Sequence, residues 1–193
     1  MKTRLVQFAL RYINLTEAEE LALNQLIPIT TYPKGTVSLE AGKALNVCYF
    51  ILEELVRQYY MVDGEELTTS FYWEEQPITS SDGFMYNKLS DSYLCCMEDC
   101  TMASANFELE SDLYAKYPKF EILSRILAEK ILNENQNSFS RFKLQSPMER
   151  YQTLLREKPD LVQRVPQYQL ASFLGIKPET RSRIRRRMMS DNP

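Results

Sequence analysis

The residues with the most specific chemistry lie near the end of the chain, where arginines recur on a short predicted helix that opens at Pro178. Arginine can bind guanine through two parallel hydrogen bonds, and a glutamate can accept a hydrogen bond from cytosine. Arginine and lysine also bind phosphate groups, which gives affinity without sequence choice. The pattern therefore predicts a segment that binds double-stranded DNA. The predicted DNA-contacting residues are Lys177, Glu179, Thr180, Arg181, Ser182, Arg183, Arg185, Arg186 and Arg187.

A second short helix precedes this one, and the pair has the pattern of a helix-turn-helix. The first helix, about 166–174, is predicted to bury Leu170, Phe173 and Leu174. We expect it to end at Gly175, because glycine adopts a positive φ most readily, and Ile176 to fill the turn. In such proteins the second helix presents its N-terminal residues to base edges in the major groove.

Charge is divided unevenly along the chain. The formal net charge is -3. Residues 146–193 nevertheless hold ten Lys+Arg and five Asp+Glu, which gives +5 and leaves -8 for residues 1–145. An acidic body joined to a basic tail favours a protein in which one part binds a polyanion and the other does not.

Catalytic, metal-binding and membrane-spanning classes find little support. The chain has no histidine, which removes the commonest general base. Its four cysteines lack CxxC spacing, so we expect small hydrophobic residues on strands and neither a metal site nor a cofactor. The carboxylates of Asp91, Glu98, Asp99 and Glu108 do not have the arrangement of a glycosidase. No apolar run approaches the ~20 residues of a membrane span, and a cytoplasmic protein is the default expectation.

The elements that must position the basic segment can be predicted from local patterns. Residues 1–30 are predicted to be helical, with a helix that starts at Thr16 and ends before Pro28. Short segments rich in Val, Tyr, Phe and Thr follow over residues 32–107, with a hairpin turn at Asp63-Gly64. These helical segments, followed by short strand-like segments separated by turns, predict an α+β protein with a small antiparallel barrel or sandwich.

A long helix is predicted at about 117–142. Phe120, Leu123, Leu127 and Ile131 recur along it at three- or four-residue spacing. A helix with one apolar seam lies along its own domain or pairs with a second copy, and we favour a homodimer through these residues. Ser146, Pro147 and Glu149 then form a sharp helix start. The predicted domains are therefore 1–145, which includes the dimerisation helix, and 146–193.

With these residues in place, the chain resembles the Crp/Fnr family of transcriptional regulators, particularly its short Bacteroidetes members. The resemblance implies a double-stranded β-roll sensor domain like those that bind cyclic nucleotides, a dimerisation helix and a C-terminal helix-turn-helix. It also implies that Glu179 and Arg183 contact bases. The resemblance rests on Gly35, Gly42, Tyr49-Phe50-Ile51, Leu55-Val56-Arg57 and Asp63-Gly64 in the body, and on Arg150-Tyr151, Arg164-Val165-Pro166 and residues 174–184 in the tail.

The chain departs from the family where the effector should bind. The family pairs the cyclic phosphate with an arginine, whereas Asp91 or Ser92 stands at that position here, so we do not expect cyclic AMP to bind. Glu54 replaces a turn glycine, and Lys177 replaces the usual cap of the DNA-reading helix. The predicted effector pocket comprises Phe71, Trp73, Glu75, Ser80, Ser90, Asp91 and Ser92.

Taken together, these patterns predict a sequence-specific, homodimeric DNA-binding regulator with a degenerate effector pocket. RNA polymerase and an unidentified small-molecule effector are further candidate partners. The alternative is a protein that binds a cyclic nucleotide or another small ligand and does not read DNA.

Overall fold

The computed structural model describes residues 3–79, 83 and 86–176. Ser80 and all nine predicted DNA-contacting residues, from Lys177 to Arg187, lie outside this part of the chain. In the described part, two compact units are separated by their internal packing. One unit is formed by the residues up to Gln58 together with Phe71–Ile131, and the other by Tyr59–Ser70 together with the residues from Leu132 on.

The first unit begins with two helices, α1 (Arg4–Ala9) and α2 (Glu17–Leu26). Thr16 caps α2 as predicted: its hydroxyl accepts from the backbone N–H of Glu19, and the Glu19 carboxylate accepts from that of Thr16 at 2.7 Å. Hydrogen bonds from the Thr16 backbone and from Lys119 hold the pKa of Glu19 below its ordinary value. The helix start was therefore readable from local chemistry alone.

In the described part of the chain, eight strands follow. Several short strands were predicted over residues 32–107, whereas the first one begins at Ile29, inside the range predicted to be helical. The eight strands form two four-stranded sheets with strand orders β1-β8-β3-β6 and β2-β7-β4-β5. The pairs β1–β8, β3–β8, β3–β6 and β2–β7 are antiparallel. The predicted β-roll is thereby confirmed. The strands are β1 (Ile29–Tyr32), β2 (Val37–Leu39), β3 (Val47–Glu53), β4 (Val56–Val62), β5 (Glu65–Tyr72), β6 (Pro77–Ile78), β7 (Ser92–Cys96) and β8 (Cys100–Asn106).

The interior of the roll is an apolar cluster contributed by strands of both sheets. Ile51, Val56 and Leu94 lie fully buried within it. Cys96 and Cys100 are buried in the same cluster, which matches their interpretation as small hydrophobic residues. The other two free cysteines, Cys48 and Cys95, are half-buried.

Two of the turns with a left-handed backbone are those between β3 and β4 and between β4 and β5. Asp63 and Gly64 have φ values of 52° and 82°, as expected for the tight hairpin between β4 and β5. Glu54, which replaces a turn glycine, has a φ of 76°. The turn between β3 and β4 therefore keeps the glycine-like conformation despite its side chain, at a cost of roughly 1–2 kcal/mol.

Two helices, α3 (Phe107–Lys116) and α4 (Lys119–Leu144), follow the roll. The second confirms the predicted long helix. Its predicted dimer seam is wrong at two positions: Phe120 and Leu123 are only 3% and 9% exposed and pack against α1, α2 and α3 within the first unit. Leu127 packs partly against the same cluster. An apolar stripe on a helix does not reveal whether it covers its own domain or a second copy, and here it covers its own domain.

In the second unit, three short helices follow α4. They are α5 (Pro147–Glu157), α6 (Pro159–Arg164) and α7 (Gln167–Phe173). The capping box of Ser146 and Glu149 is present, as predicted. Pro159 suits the first position of a helix and starts α6, which ends at Arg164. Thr68, on β5, donates its backbone N–H to the Ser172 hydroxyl on α7 at 2.9 Å.

Candidate functional site

The described part of the predicted helix-turn-helix is α7 and the turn that follows it. Leu170, Ala171 and Leu174 are buried as expected, whereas Phe173 is half-buried rather than buried. Gly175 has a φ of 64°, and Ile176 folds back so that its N–H donates to the Ala171 carbonyl at 2.9 Å. Ile176 is itself buried, so the glycine turn and its apolar plug match the prediction.

Arg150 holds this turn in place. Its Nε and Nη2 both donate to the carbonyl oxygen of Leu174, at 3.0 and 2.7 Å. Its Nη1 donates to the carbonyls of Phe142 and Gln145, at 3.0 and 2.9 Å, and the guanidinium lies 4.3 Å from the centre of the Phe142 ring. One side chain therefore binds the C-terminal ends of both α4 and α7, where carbonyl groups lack helical partners.

The same contacts explain why glycine suits position 175. A Cβ atom there would lie 3.4 Å from the Phe142 ring and 3.5 Å from Nη2 of Arg150, on a backbone that L-residues rarely adopt. The turn thus depends on three residues that are distant in sequence. From the sequence, Arg150 contributed only to the family resemblance, and its role in holding the turn was not predicted. Its one local signal is a cation in the first turns of α5, where the helix dipole does not favour it.

In the roll, two of the predicted effector-pocket residues belong to a polar chain. The Ser90 hydroxyl accepts from the Ser92 N–H at 3.1 Å and lies 3.0 Å from the Ser92 hydroxyl. Gln58 donates its amide N–H to Ser92 Oγ at 3.0 Å and accepts from the Tyr72 hydroxyl at 2.9 Å. Ser92 is only 3% exposed, so its hydroxyl is satisfied by protein groups. Gln58 and Tyr72 were missed, although Tyr72 directly follows the predicted Phe71 on β5, because no local pattern shows which side chains of different strands meet.

The remaining predicted pocket residues have different surroundings. Phe71 is buried and Trp73 is half-buried. Glu75 is exposed and forms a 2.7 Å ion pair with Arg11, which follows α1, so its assignment to a pocket with Ser90 and Ser92 is not supported by its described contacts. Asp91 is exposed. It stands next to the buried Ser92, and either of these two residues is predicted to occupy the position of the family's arginine.

Comparison with known proteins identifies the fold. The structure of the c-di-GMP-responsive global regulator CLP from Xanthomonas campestris is similar with a TM-score of 0.70 and 15% identity, over 91% of this chain and 93% of that chain. FixK2 from Bradyrhizobium japonicum gives a TM-score of 0.69 and 14% identity, over 85% of both chains. A transcriptional regulator assigned to the Crp/Fnr family, from Eubacterium rectale, gives 0.67 and 14% identity, over 92% and 85%.

No protein-family model and no curated protein sequence matches the chain. The likeness therefore lies in the fold, where it is extensive. The chain has the fold of Crp/Fnr-type regulators, with a roll like those that bind cyclic nucleotides and helices on both sides of it in the sequence. The resemblance drawn from the residues is confirmed at this level.

Within the described ranges, none of the helices combines the length and the apolar character needed to cross a membrane. In the same ranges, no group of three or more metal-ligating side chains is assembled.

Proposed function

We propose that the chain is a homodimeric transcriptional regulator that binds specific DNA sequences through residues 177–187 and does not respond to cyclic AMP. The observation that carries this proposal is the turn after α7. Arg150 binds the last carbonyl of the helix, Gly175 reverses the backbone, and buried Ile176 fixes the point from which the arginine-rich segment departs. This is the arrangement that a helix-turn-helix requires before its reading helix.

The charge distribution supports DNA as the partner. The positive charge of residues 146–193 and the negative charge of residues 1–145 favour encounters in which the tail faces the phosphates. Within the tail, Arg183 and Glu179 are the proposed base-contacting residues. Lys177, Arg185 and Arg187 are proposed to bind phosphates, which sets position and affinity.

Dimerisation is proposed through a different face of α4 from the one first predicted. Leu132 and Phe139 are 57% and 62% exposed, and Asn135 is exposed between them at the spacing of a coiled-coil seam. Two copies joined along this face would bury both apolar side chains. An asparagine on such a seam fixes the register of the two helices.

The roll is proposed not to bind cyclic AMP because it offers the phosphate no cation at the family's position. Asp91 or Ser92 stands there, and Ser92 is buried and hydrogen-bonded to Gln58 and Ser90. A cyclic phosphate would have to break this chain and would face the exposed carboxylate of Asp91 without an arginine in return. A different, unidentified effector remains compatible with the roll.

Two measurements on the purified full chain test this function. The first is recovery and sequencing of genomic fragments that the chain retains at moderate salt, and we expect them to share a near-palindromic motif. The second is calorimetry with cyclic AMP and cyclic GMP, where we expect no heat of binding. Fragments without a common motif, together with micromolar binding of a cyclic nucleotide, would favour the small-ligand alternative instead.

A further inference from the structure

A cavity of about 210 Å³ lies in the first unit, on the outer face of the sheet that contains β3 and β8. Strand alternation shows which face this is. On β3, Tyr49 and Ile51 point into the core of the roll, whereas Cys48 and Phe50 line the cavity. The cavity is therefore separate from the interior of the roll, where the family's nucleotide pocket lies.

The walls of the cavity are mainly aliphatic and aromatic. The helices α1 and α2 contribute Phe8 and Leu23, and α3 contributes Leu113. Leu127 and Ile131 line it from α4. These two side chains therefore face their own domain and not a dimer seam. An engineered cavity of about 150 Å³ with such walls holds benzene, so this one has room for a bicyclic ring system or a short aliphatic chain.

One wall is polar and carries a carboxyl group. Glu110, Tyr114 and Ser124 all line it. Burial raises the pKa of Glu110, and burial together with the nearby Glu110 carboxylate raises the pKa of the Cys48 thiol to about 12. Among the described residues that line the cavity there is no lysine or arginine.

This chemistry defines what can enter. A carboxylate has about four lone-pair positions, each of which can accept a hydrogen bond, and the Glu110 carboxyl group lines the cavity. The wall can therefore accept a hydrogen bond from a hydroxyl or N–H group. It would repel a second carboxylate or a phosphate, because no cation lining the cavity compensates the charge.

We propose that this cavity binds a small, uncharged, apolar molecule whose single hydroxyl or N–H group donates to Glu110. The inference does not depend on DNA binding. It concerns a site that differs in position and in chemistry from the polar chain of Ser90, Ser92, Gln58 and Tyr72.

Two matched pairs of probes test the proposal by calorimetry on the full chain. Indole and indene have nearly the same shape, but only indole carries an N–H group. 1-Heptanol and heptanoate differ mainly in charge. We expect indole to bind about tenfold more tightly than indene, and heptanol about tenfold more tightly than heptanoate. In each pair only the first probe donates a hydrogen bond to the Glu110 carboxylate, and a hydrogen bond to a charged group changes affinity by about that factor.

Three substitutions, one of them a control, locate the site. Ala128→Phe places a ring on a lining residue of α4 and should reduce indole affinity at least about tenfold, while Glu129→Phe, next to it and outside the lining, should leave it unchanged. Glu110→Gln should weaken the preference for heptanol over heptanoate. Circular dichroism shows whether each variant is folded, and the probe pairs on the unmodified chain test the proposal even if one is not.

Several results would overturn this assignment. Equal affinity within each probe pair would do so, and so would a preference for heptanoate. An Ala128→Phe variant that is folded and binds indole normally would also overturn it. The absence of binding by all four probes at millimolar concentration would do the same.

Discussion

Arg183 and Arg187 lie four residues apart, yet we expect them to bind different parts of DNA. Arg183→Ala should weaken binding to the specific site by about 1–3 kcal/mol and relax the choice at one base pair, because it removes a contact to a base. Arg187→Ala should weaken binding to all sequences and lower the slope of log K against log salt by about 1. Fluorescence anisotropy with specific and scrambled duplexes over a range of salt measures both. Identical behaviour of the two variants would contradict the division.

Glu54 is a second position where one residue has a measurable effect. Its φ of 76° is one that glycine adopts freely, so Glu54→Gly should raise the free energy of unfolding by about 0.5–1 kcal/mol after the greater freedom of glycine in the unfolded chain is subtracted. Asp63→Gly is the matched control, because aspartate tolerates the left-handed region better and its φ is 52°. Urea denaturation compares the three proteins. A destabilised Glu54→Gly variant would show that the Glu54 side chain, and not backbone strain, dominates at this turn.

At the scale of an element, the start of α5 predicts a pH dependence. The backbone N–H and the hydroxyl of Ser146 hold the pKa of Glu149 below its ordinary value. A carboxylate with a lowered pKa in the folded state stabilises the fold above its unfolded pKa, and this stability is lost as the pH falls through the folded value. Below about pH 4.5, unfolding of Glu149→Gln should therefore depend less on pH than that of the unmodified chain. Thermal unfolding between pH 6 and pH 3 tests this, and parallel curves would contradict it.

The long helix α4 gives the second prediction at this scale. Replacing Leu132 and Phe139 with glutamate should shift the chain from dimer to monomer, because each dimer would then bury four carboxylates without partners. Asn137→Glu, exposed on the same helix but off the proposed seam, is the control and should leave the dimer intact. Sedimentation velocity measures the outcome. A monomeric unmodified chain, or equal dissociation of the control, would exclude this seam.

The elements also show what a sequence can and cannot predict. The capping boxes at Thr16 and Ser146 and the turn at Asp63-Gly64 were predictable because each depends on neighbouring residues. The burial of Phe120 was not, since the same spacing serves a dimer and a domain core. At the candidate sites, the turn after α7 was predictable because Gly175 and Ile176 are neighbours in the sequence. The hydrogen bonds of Arg150 and the chain through Gln58 join segments far apart in sequence, so no local pattern contains them.

At the scale of the whole molecule, residues 1–145 carry a net negative charge and residues 146–193 carry a net positive charge. The fold is shared with Crp/Fnr-type regulators despite 14–15% identity in the structures compared. In the roll of this chain, Ser90, Ser92, Gln58 and Tyr72 form a chain of hydrogen bonds. The cavity on the outer face of the sheet is proposed to bind a different class of ligand, because its Glu110 carboxyl group favours uncharged hydrogen-bond donors.

The central claim is that two copies of residues 177–187 enter successive major grooves, about 34 Å apart, on one face of the duplex. The most direct test measures affinity for the recovered site and for a version with about half a helical turn, or five base pairs, inserted between its half-sites. We expect the insertion to reduce affinity to the level of unrelated DNA, and insertion of a full turn of about ten base pairs to restore part of it. Affinity that is unchanged by the half-turn insertion would contradict the claim.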